Sequence, residues 1–383
     1  MRFKNLSVGT RRSVSADEEF VPVPMRIAGA WSWRILVLAG AIALIIYLVI
    51  QLRLVVVPLL VAVLLAALLV PFVQFVRRHG WPKWLGVAVA ELGLIGIVTG
   101  LVYLIVTQIL RGFPELSDRS ISFFEDVKQL LLTSPLHLTE DQLAEYLKQT
   151  WASIQKDSGW LLSGALQFGS SFGHLLAGIL LTLFATLFLL IDGDKIWAWI
   201  VGLFPKKARA AVNGAGKAGW VTLSDFVRVQ IFVAFIDALG IGLGAWILGL
   251  IFGGFPLVVP IAIAVFLGSF IPVVGAVLTG AIAVFVALVY LGPWQALIML
   301  GIVLLVQQIE GHVLQPLVMG NAVKVHPLAV VLAVAAGGFL AGISGALFAV
   351  PLVATLNAMI GYTARRRWET EPDPSLEDVL RDK

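Results

Sequence analysis

The residue whose type and position most clearly call for chemistry is Asp237. It lies eleven residues into the apolar run Phe226 to Ile251, a depth of roughly 16 Å at the α-helical rise. A charge that deep in a bilayer is costly and usually has a task. Gln230, Asp237 and Gly244 are spaced seven apart and share a helix face, with Gly240 beside them. Gly240 and Gly244 form a small-xxx-small pair, which lets another helix approach closely. Two readings of Asp237 stay open. It binds a proton or a cation, or it is a neutral acid making one interhelical hydrogen bond.

A second polar group closes a later apolar run. Gln307 and Glu310 are three apart, and Gln308, His312 and Gln315 continue along that side, with Gly311 between them. Such a cluster marks either a wet cavity or a polar seam between helices. Glu91 reads as structural, as does the Asp225 and Arg228 pair, one turn apart at an expected helix start. Enzyme chemistry finds no footing. There is no Gly-rich phosphate loop, no nucleophile elbow and no His-x-x-x-His pair, and the chain has five His and no Cys. No metal or other cofactor is expected. With no ATP-binding module, any pumping must draw on an ion gradient.

These residues sit in a chain built for a membrane. Of 383 residues, 59% are hydrophobic and 13% charged, with a mean hydropathy of +0.96; soluble domains are about a quarter charged. The net charge of +4 is small and spread over loops and tails, which argues against nucleic acid as a partner. A secretory signal is not expected, since a long polar stretch precedes the first apolar run and many runs follow it. The runs are Ile35–Ile50, Leu54–Val76, Trp84–Leu110, Phe172–Ile191, Phe226–Ile251, Pro256–Ile271, Val273–Leu291, Trp294–Val306, Pro327–Ala341 and Ala346–Ile360. Several late runs are short and broken by Gly or Pro. The expected fold is therefore an all-α polytopic membrane protein with about eight membrane segments in the lipid bilayer.

Two of the short pieces are alike. Pro256–Ile271 and Pro327–Ala341 each lead into a Gly-bearing turn, through Gly275 in one and Gly337, Gly338, Gly342 and Gly345 in the other. Another apolar stretch follows each turn. One crossing separates the two pieces, so interrupted hairpins entering from opposite sides are expected. Paired interrupted segments are a pointer to a transporter's binding site. Two ordinary helical pairs with tight turns would give the same pattern.

Orientation follows from Lys and Arg in the short loops. Arg2, Lys4, Arg11, Arg12, Arg26 and Arg34 precede the first run; Arg77, Arg78 and Lys83 follow the second; Lys195, Lys206, Lys207, Arg209 and Lys217 follow the fourth; Arg365, Arg366 and Arg367 follow the last. Both termini are expected in the cytoplasm. The expected divisions are a tail over 1–33, first membrane helices over 34–110, an external segment over 111–164, a core over 165–362 with hairpins near 256–291 and 327–361, and a tail over 363–383. In the net-acidic external segment, Thr139 and Gln142 read as a capping box. Leu143, Tyr146, Leu147, Trp151 and Ile154 then make an apolar stripe. The charged tail Trp368–Lys383, with Pro372 and Pro374, reads as mobile.

The C-terminal half resembles the autoinducer-2 exporter family of bacterial permeases. The resemblance is carried by Phe270-Ile271-Pro272-Val273-Val274-Gly275, Gln307-Gln308-Ile309-Glu310-Gly311, Leu314-Gln315-Pro316-Leu317-Val318-Met319-Gly320, His326-Pro327-Leu328 and Gly342 to Pro351. It implies a homo-oligomeric secondary exporter of the bacterial inner membrane. The implied cargo is a small solute such as autoinducer-2, with sodium/proton exchange as the other activity in the family. It further implies that Pro272, Gly275, Gln307, Glu310, Gly311, Pro316 and Gly320 line the transport path. Three positions depart from the family's pattern: Ser269 stands where an acidic residue is common, His312 where an Asn is, and Val229 where a Gly is. The first departure removes a carboxylate from the implied path. A channel-like pore and a non-transporting scaffold are the competing readings.

Overall fold

The computed structural model describes residues 23–133, 173–255, 257–271, 274–312, 326–369 and 373–376. The described elements are α1 (Val23–Gln51), α2 (Arg53–Arg78), α3 (Lys83–Thr133), α4 (Gly173–Gly202), α5 (Arg209–Phe252), α6 (Val258–Gly268), α7 (Val274–Leu291), α8 (Pro293–Ile309) and α9 (Pro327–Ala364). A short 3-10 turn follows at Arg367–Glu369. There is no strand among the described residues. Seven of the helices are long and apolar enough to cross a membrane, while α6 and α7 are shorter apolar pieces. The chain is thus an all-α polytopic membrane protein. The capping box at Thr139 and Gln142, and the stripe after it, lie outside the described residues.

The first compact unit, residues 1–53, contributes α1. Its apolar side chains are exposed along its length, Trp31 and Trp33 among them, as a helix facing hydrocarbon requires.

Within the second unit, burial of apolar surface is a weak organiser, because lipid tails are as apolar as Leu. Small residues do the work instead. In α2, Ala62, Ala66 and Ala67 are buried, and α3 and α4 pack with this helix through Val87, Ala90 and Leu190. Pro58 and Pro71 lie inside α2. Each removes a ladder bond, a loss tolerated in membranes where neighbours re-satisfy the backbone. Separately, the Pro58 carbonyl accepts from Thr182 Oγ1 of α4 at 3.3 Å, a bond between the two helices.

Two helices run on where the sequence suggested an interruption. No break separates the apolar part of α3 from Arg111 and beyond; the helix continues to Thr133, carried by strong helix formers such as Glu115, Lys128 and Leu130 to Leu132. Helix α5 starts at Arg209, so Asp225 and Arg228, 4.0 Å apart, lie well inside it rather than at a start. The charges of Arg209–Asp225 look like a loop in sequence, yet Ala residues keep the segment helical. Its glycines are occupied as seats: a Cβ on Gly214 would meet the Tyr362 ring, and one on Gly216 the Trp197 ring. The tail also differs from expectation over its described part, where Asp373 accepts from Asn213 and Lys217 and Pro374 is buried.

Glu91 on α3 is buried, and neither carboxyl oxygen has a hydrogen-bond partner in the protein. An unsatisfied buried polar group costs stability. Glu91→Leu is therefore expected to raise stability by about 1–3 kcal/mol, measured as thermal unfolding in detergent. A lower unfolding temperature would show that the carboxyl has a stabilising role.

Candidate functional site

Everything in the core is laid against α5. At 44 residues it is about 66 Å long, over twice the roughly 30 Å hydrocarbon thickness. Helix α6 runs back along its C-terminal half: Gly249 faces Phe255, Gly242 faces Ala262 at 3.0 Å from where a Cβ would stand, and Asp237 meets Ser269. The chain then turns and returns as α7. Helix α8 packs on the same half, Gly244 against Ile302 and Gly240 against Val306. The Gly240 and Gly244 pair is thus the seat of another helix.

The first turn is held closed by backbone contact. A Cβ on Gly275 would run into the carbonyl of Gly268. Helix α9 makes a second hairpin. Its helical dihedrals fail at Ala341 (φ −135, ψ 18) and Gly342 (φ 63, ψ −145), the latter in a region only glycine adopts readily. A Cβ on Gly345 would strike the Gly337 carbonyl, although these residues would be about 12 Å apart along a straight helix. The returning arm packs on the N-terminal half of α5: Tyr362 against Gly214, Met359 and Thr355 against Gly219, and Ala346, Ala349 and Val350 against Phe226 and Val227.

The hairpins therefore come along α5 from its opposite ends. Ile271, at the turn of the first, packs in the same cluster as the arms of the second. The polar groups gather there. Gln230 Nε2 donates to the Ser269 carbonyl at 2.7 Å. Ser269 Oγ stands 3.1 Å from Asp237 Oδ2 and 2.8 Å from the Val265 carbonyl. Asp237 is 1% exposed, and its Oδ1 has no hydrogen-bond partner in the protein. Glu310, at the end of α8, is near enough to act on Asp237 through its charge. The hydroxyl of Ser269 has one proton for two acceptors. With Asp237 ionised, that proton turns to the carboxylate. With Asp237 protonated, the acid can donate to Ser269 Oγ, and the serine's proton goes to Val265.

Of the residues singled out in the sequence, Asp237, Gln230, Gly275 and Glu310 come together, and Gln307 is half-buried nearby along α8. The last turn of α8 widens to a π turn over Glu310, Gly311 and His312, a distortion frequent at functional sites. Gln308, Gly311 and His312 are exposed; the His312 Nδ1 lies 3.3 Å from the Gln308 carbonyl, so the polar side of α8 is split between the junction and the surface. Gly338, Gly342 and Gly345 form the second turn, with Ser344 Oγ donating to the Ala341 carbonyl at 2.9 Å. Pro272, Gln315, Pro316 and Gly320 lie outside the described residues. Ser269 is the residue that sequence reasoning missed as a participant. It stood out only as a departure from a pattern, and its contacts with α5, carbonyl to Gln230 and hydroxyl to Asp237, need the fold to be seen.

A family model, that of the AI-2E family transporters, matches residues 35–365. The chain belongs to the AI-2E transporter family. A protein of Mycobacterium tuberculosis provisionally named a transport protein is 38% identical over 345 residues, covering 90% of this chain and 93% of that one. The Bacillus subtilis protein YrrI, also provisionally named for transport, is 26% identical, covering 82% of this chain and 88% of its own. The AI-2 transport protein TqsA of Escherichia coli is 26% identical, with 81% and 86% covered. AI-2E transporters are a permease family, not an enzyme class, and this member is a multi-pass membrane protein of that kind.

Both turns depend on glycine where backbones touch. Gly275→Ala and Gly345→Ala are each expected to cost about 1–3 kcal/mol of stability, the range for overpacking. Gly301, on α8 with nothing within 4 Å of its missing Cβ, serves as the control, and Gly301→Ala should be neutral or slightly stabilising. Thermal unfolding of the three variants compares them directly. Equal behaviour would mean that neither hairpin is closed by backbone contact.

Proposed function

We propose that this protein is a secondary exporter that carries a small polar or amphipathic solute out of the cell, between the turns of its two hairpins. The observation that carries the reading is the junction itself: two interrupted hairpins come along α5 from opposite ends and pack together at Ile271, and the first of them meets Asp237, whose buried Oδ1 is left without a protein partner. A buried acceptor of that kind calls for something to satisfy it, and a passing solute with a hydroxyl or amine donor would do so. Autoinducer-2, the cargo in the name of TqsA, is the solute class to test first. We place the protein in the bacterial inner membrane, with residues 1–33 and 363–383 in the cytoplasm and 111–164 outside, on the distribution of Lys and Arg. Residues 34–110 and 165–362 form the membrane part in this reading, working as a homo-oligomer.

Ion coupling is the second reading, favoured by Glu310 acting on Asp237. Two carboxylates in one poorly solvated place repel each other, and a proton or a sodium ion between them relieves that. The same pair would serve a sodium or lithium/proton antiporter. A channel-like pore would instead show flux without saturation, and a scaffold would show none.

Purified protein in liposomes, with and without imposed proton and sodium gradients, separates these. Saturable flux of an autoinducer-2-like solute is expected, and Asp237→Asn should reduce it about tenfold or more, the worth of a hydrogen bond to a charged group. Undiminished transport by a normally folded Asp237→Asn protein would reduce the residue to a packing contact. Topology is tested separately. Reporter fusions at Lys383 should report cytoplasm and fusions near Ser134 the exterior, and a cytoplasmic signal at Ser134 would overturn the orientation.

A further inference from the structure

Far along α5 from Asp237 lies a second polar junction that the transport reading does not use. Asp373 of the C-terminal tail accepts from Asn213 Nδ2 at 2.8 Å and from Lys217 Nζ at 2.7 Å. Lys217 also donates to the Pro374 carbonyl at 2.9 Å, and Pro374 is buried although Asp373 is exposed. The other end of the Asn213 amide accepts from Trp197 Nε1 of α4 at 3.0 Å. The hydrogen bonds from Lys217 and Asn213 hold the Asp373 carboxyl below the usual carboxylate range, so it stays charged at neutral pH.

The same stretch of α5 seats the returning arm of the second hairpin. Gly214 takes Tyr362, and Gly219 takes Met359 and Thr355. The tail leaves that arm at Ala364 and reaches Asp373 nine residues later, through the 3-10 turn Arg367–Glu369, which packs on both α5 and α9. With that turn packed on both helices between the arm and Asp373, docking of the tail restricts the end of α9. The seats are packing contacts buried in the protein. The Asp373 contact is an ion pair with its carboxylate 80% exposed, a type worth little on its own and screened by salt. Within this junction it is the part most easily made and broken.

We propose that the tail is a latch: Asp373, bound by Lys217 and Asn213, keeps the returning arm of α9 on α5 and so holds the second hairpin closed. This rests on the reading that the hairpins bound the transport path. Lys217 and Asp373 are positioning residues that act through α9.

The protein has no Cys, so one introduced thiol reports on one place. Ala346→Cys puts it on the returning arm, where Ala346 is 8% exposed in the contact with Phe226 and Val227. Reaction of the reconstituted full chain with N-ethylmaleimide should be slow. Adding Asp373→Asn or Lys217→Met should speed it about two- to fivefold, the range for an exposed pair. The exchanged pair Lys217→Asp with Asp373→Lys should return the rate toward that of the parent. High salt should speed the parent and leave the single variants unchanged. Rates that ignore the tail variants and salt, including rates that stay at zero throughout, overturn the latch. Solute flux is measured on the same samples. Labelling that follows the tail variants without any flux of autoinducer-2 would leave the tail's hold on α9 and remove its role in transport, while flux with unresponsive labelling would remove the latch alone.

Discussion

Backbone groups that lose their helical partners at membrane depth must find others inside the protein, because lipid offers none. Both hairpins of this protein turn under that constraint, and both meet it with a side chain. The Ser269 carbonyl at the first turn takes the amide of Gln230, and the Ala341 carbonyl at the second takes the hydroxyl of Ser344. The first turn also bonds within itself, Ile271 N to the Gly268 carbonyl at 2.8 Å and Gly275 N to the Ile271 carbonyl at 2.9 Å. The glycine pairs let the arms close enough for such short turns. Remove the Gln230 amide and the first turn has an unpaired carbonyl beside a buried carboxyl. The polar residues of α5 are thus part of what permits the fold, as well as candidates for binding.

That double use explains why the sequence pointed to Asp237 and Gln230 but could not separate their roles. Their depth and spacing are readable from an apolar run and a seven-residue interval. Their shared partner is not, since Ser269 lies more than thirty positions away, just past the end of α6. The glycines of the turns were legible as turn formers, but their pairing, Gly268 with Gly275 and Gly337 with Gly345, depends on how the arms cross. Charge misled in one place. Arg209 to Asp225 read as a loop because polar residues interrupt the apolar signal. Helix needs only propensity and a partner, and Gly214, Gly216 and Gly219 are occupied by Tyr362, Trp197 and Met359. Charge likewise hid the continuity of α3 past Leu110.

The length of α5 has a mechanical consequence. A helix of about 66 Å has room for the first hairpin and α8 on one half and the second hairpin on the other, with the polar junction between them. Its contacts with the two hairpins and α8 are of two kinds. Small-residue seats at Gly214, Gly219, Gly240, Gly242 and Gly244 give close packing without directional bonds. At the junction, by contrast, Gln230 and Asp237 hold the first turn through hydrogen bonds to Ser269. Seats of the first kind tolerate sliding of one helix against another, while contacts of the second kind do not. Displacement of the first hairpin must therefore break or exchange bonds at Ser269.

The serine makes that exchange depend on charge. Its single proton can satisfy the Asp237 carboxylate or the Val265 carbonyl, but not both. Ionised Asp237 draws the hydroxyl toward α5 and ties the end of α6 to it. Neutral Asp237 keeps a weaker contact, as donor from Oδ2 or as a carbonyl acceptor with its proton on Oδ1, and a solute or ion that engages Oδ1 alters which arrangement is favoured. Glu310, arriving on α8, biases the same choice through its own charge. The occupancy of one buried carboxyl is in this way linked to the hold on the turn that would have to move. A carboxylate at the position of Ser269 would put its charge on the hairpin; the arrangement in this chain leaves the carboxyl on α5 and gives the turn a neutral hydroxyl. A ligand on Asp237 would then change the bond between α5 and the turn and leave the turn itself uncharged.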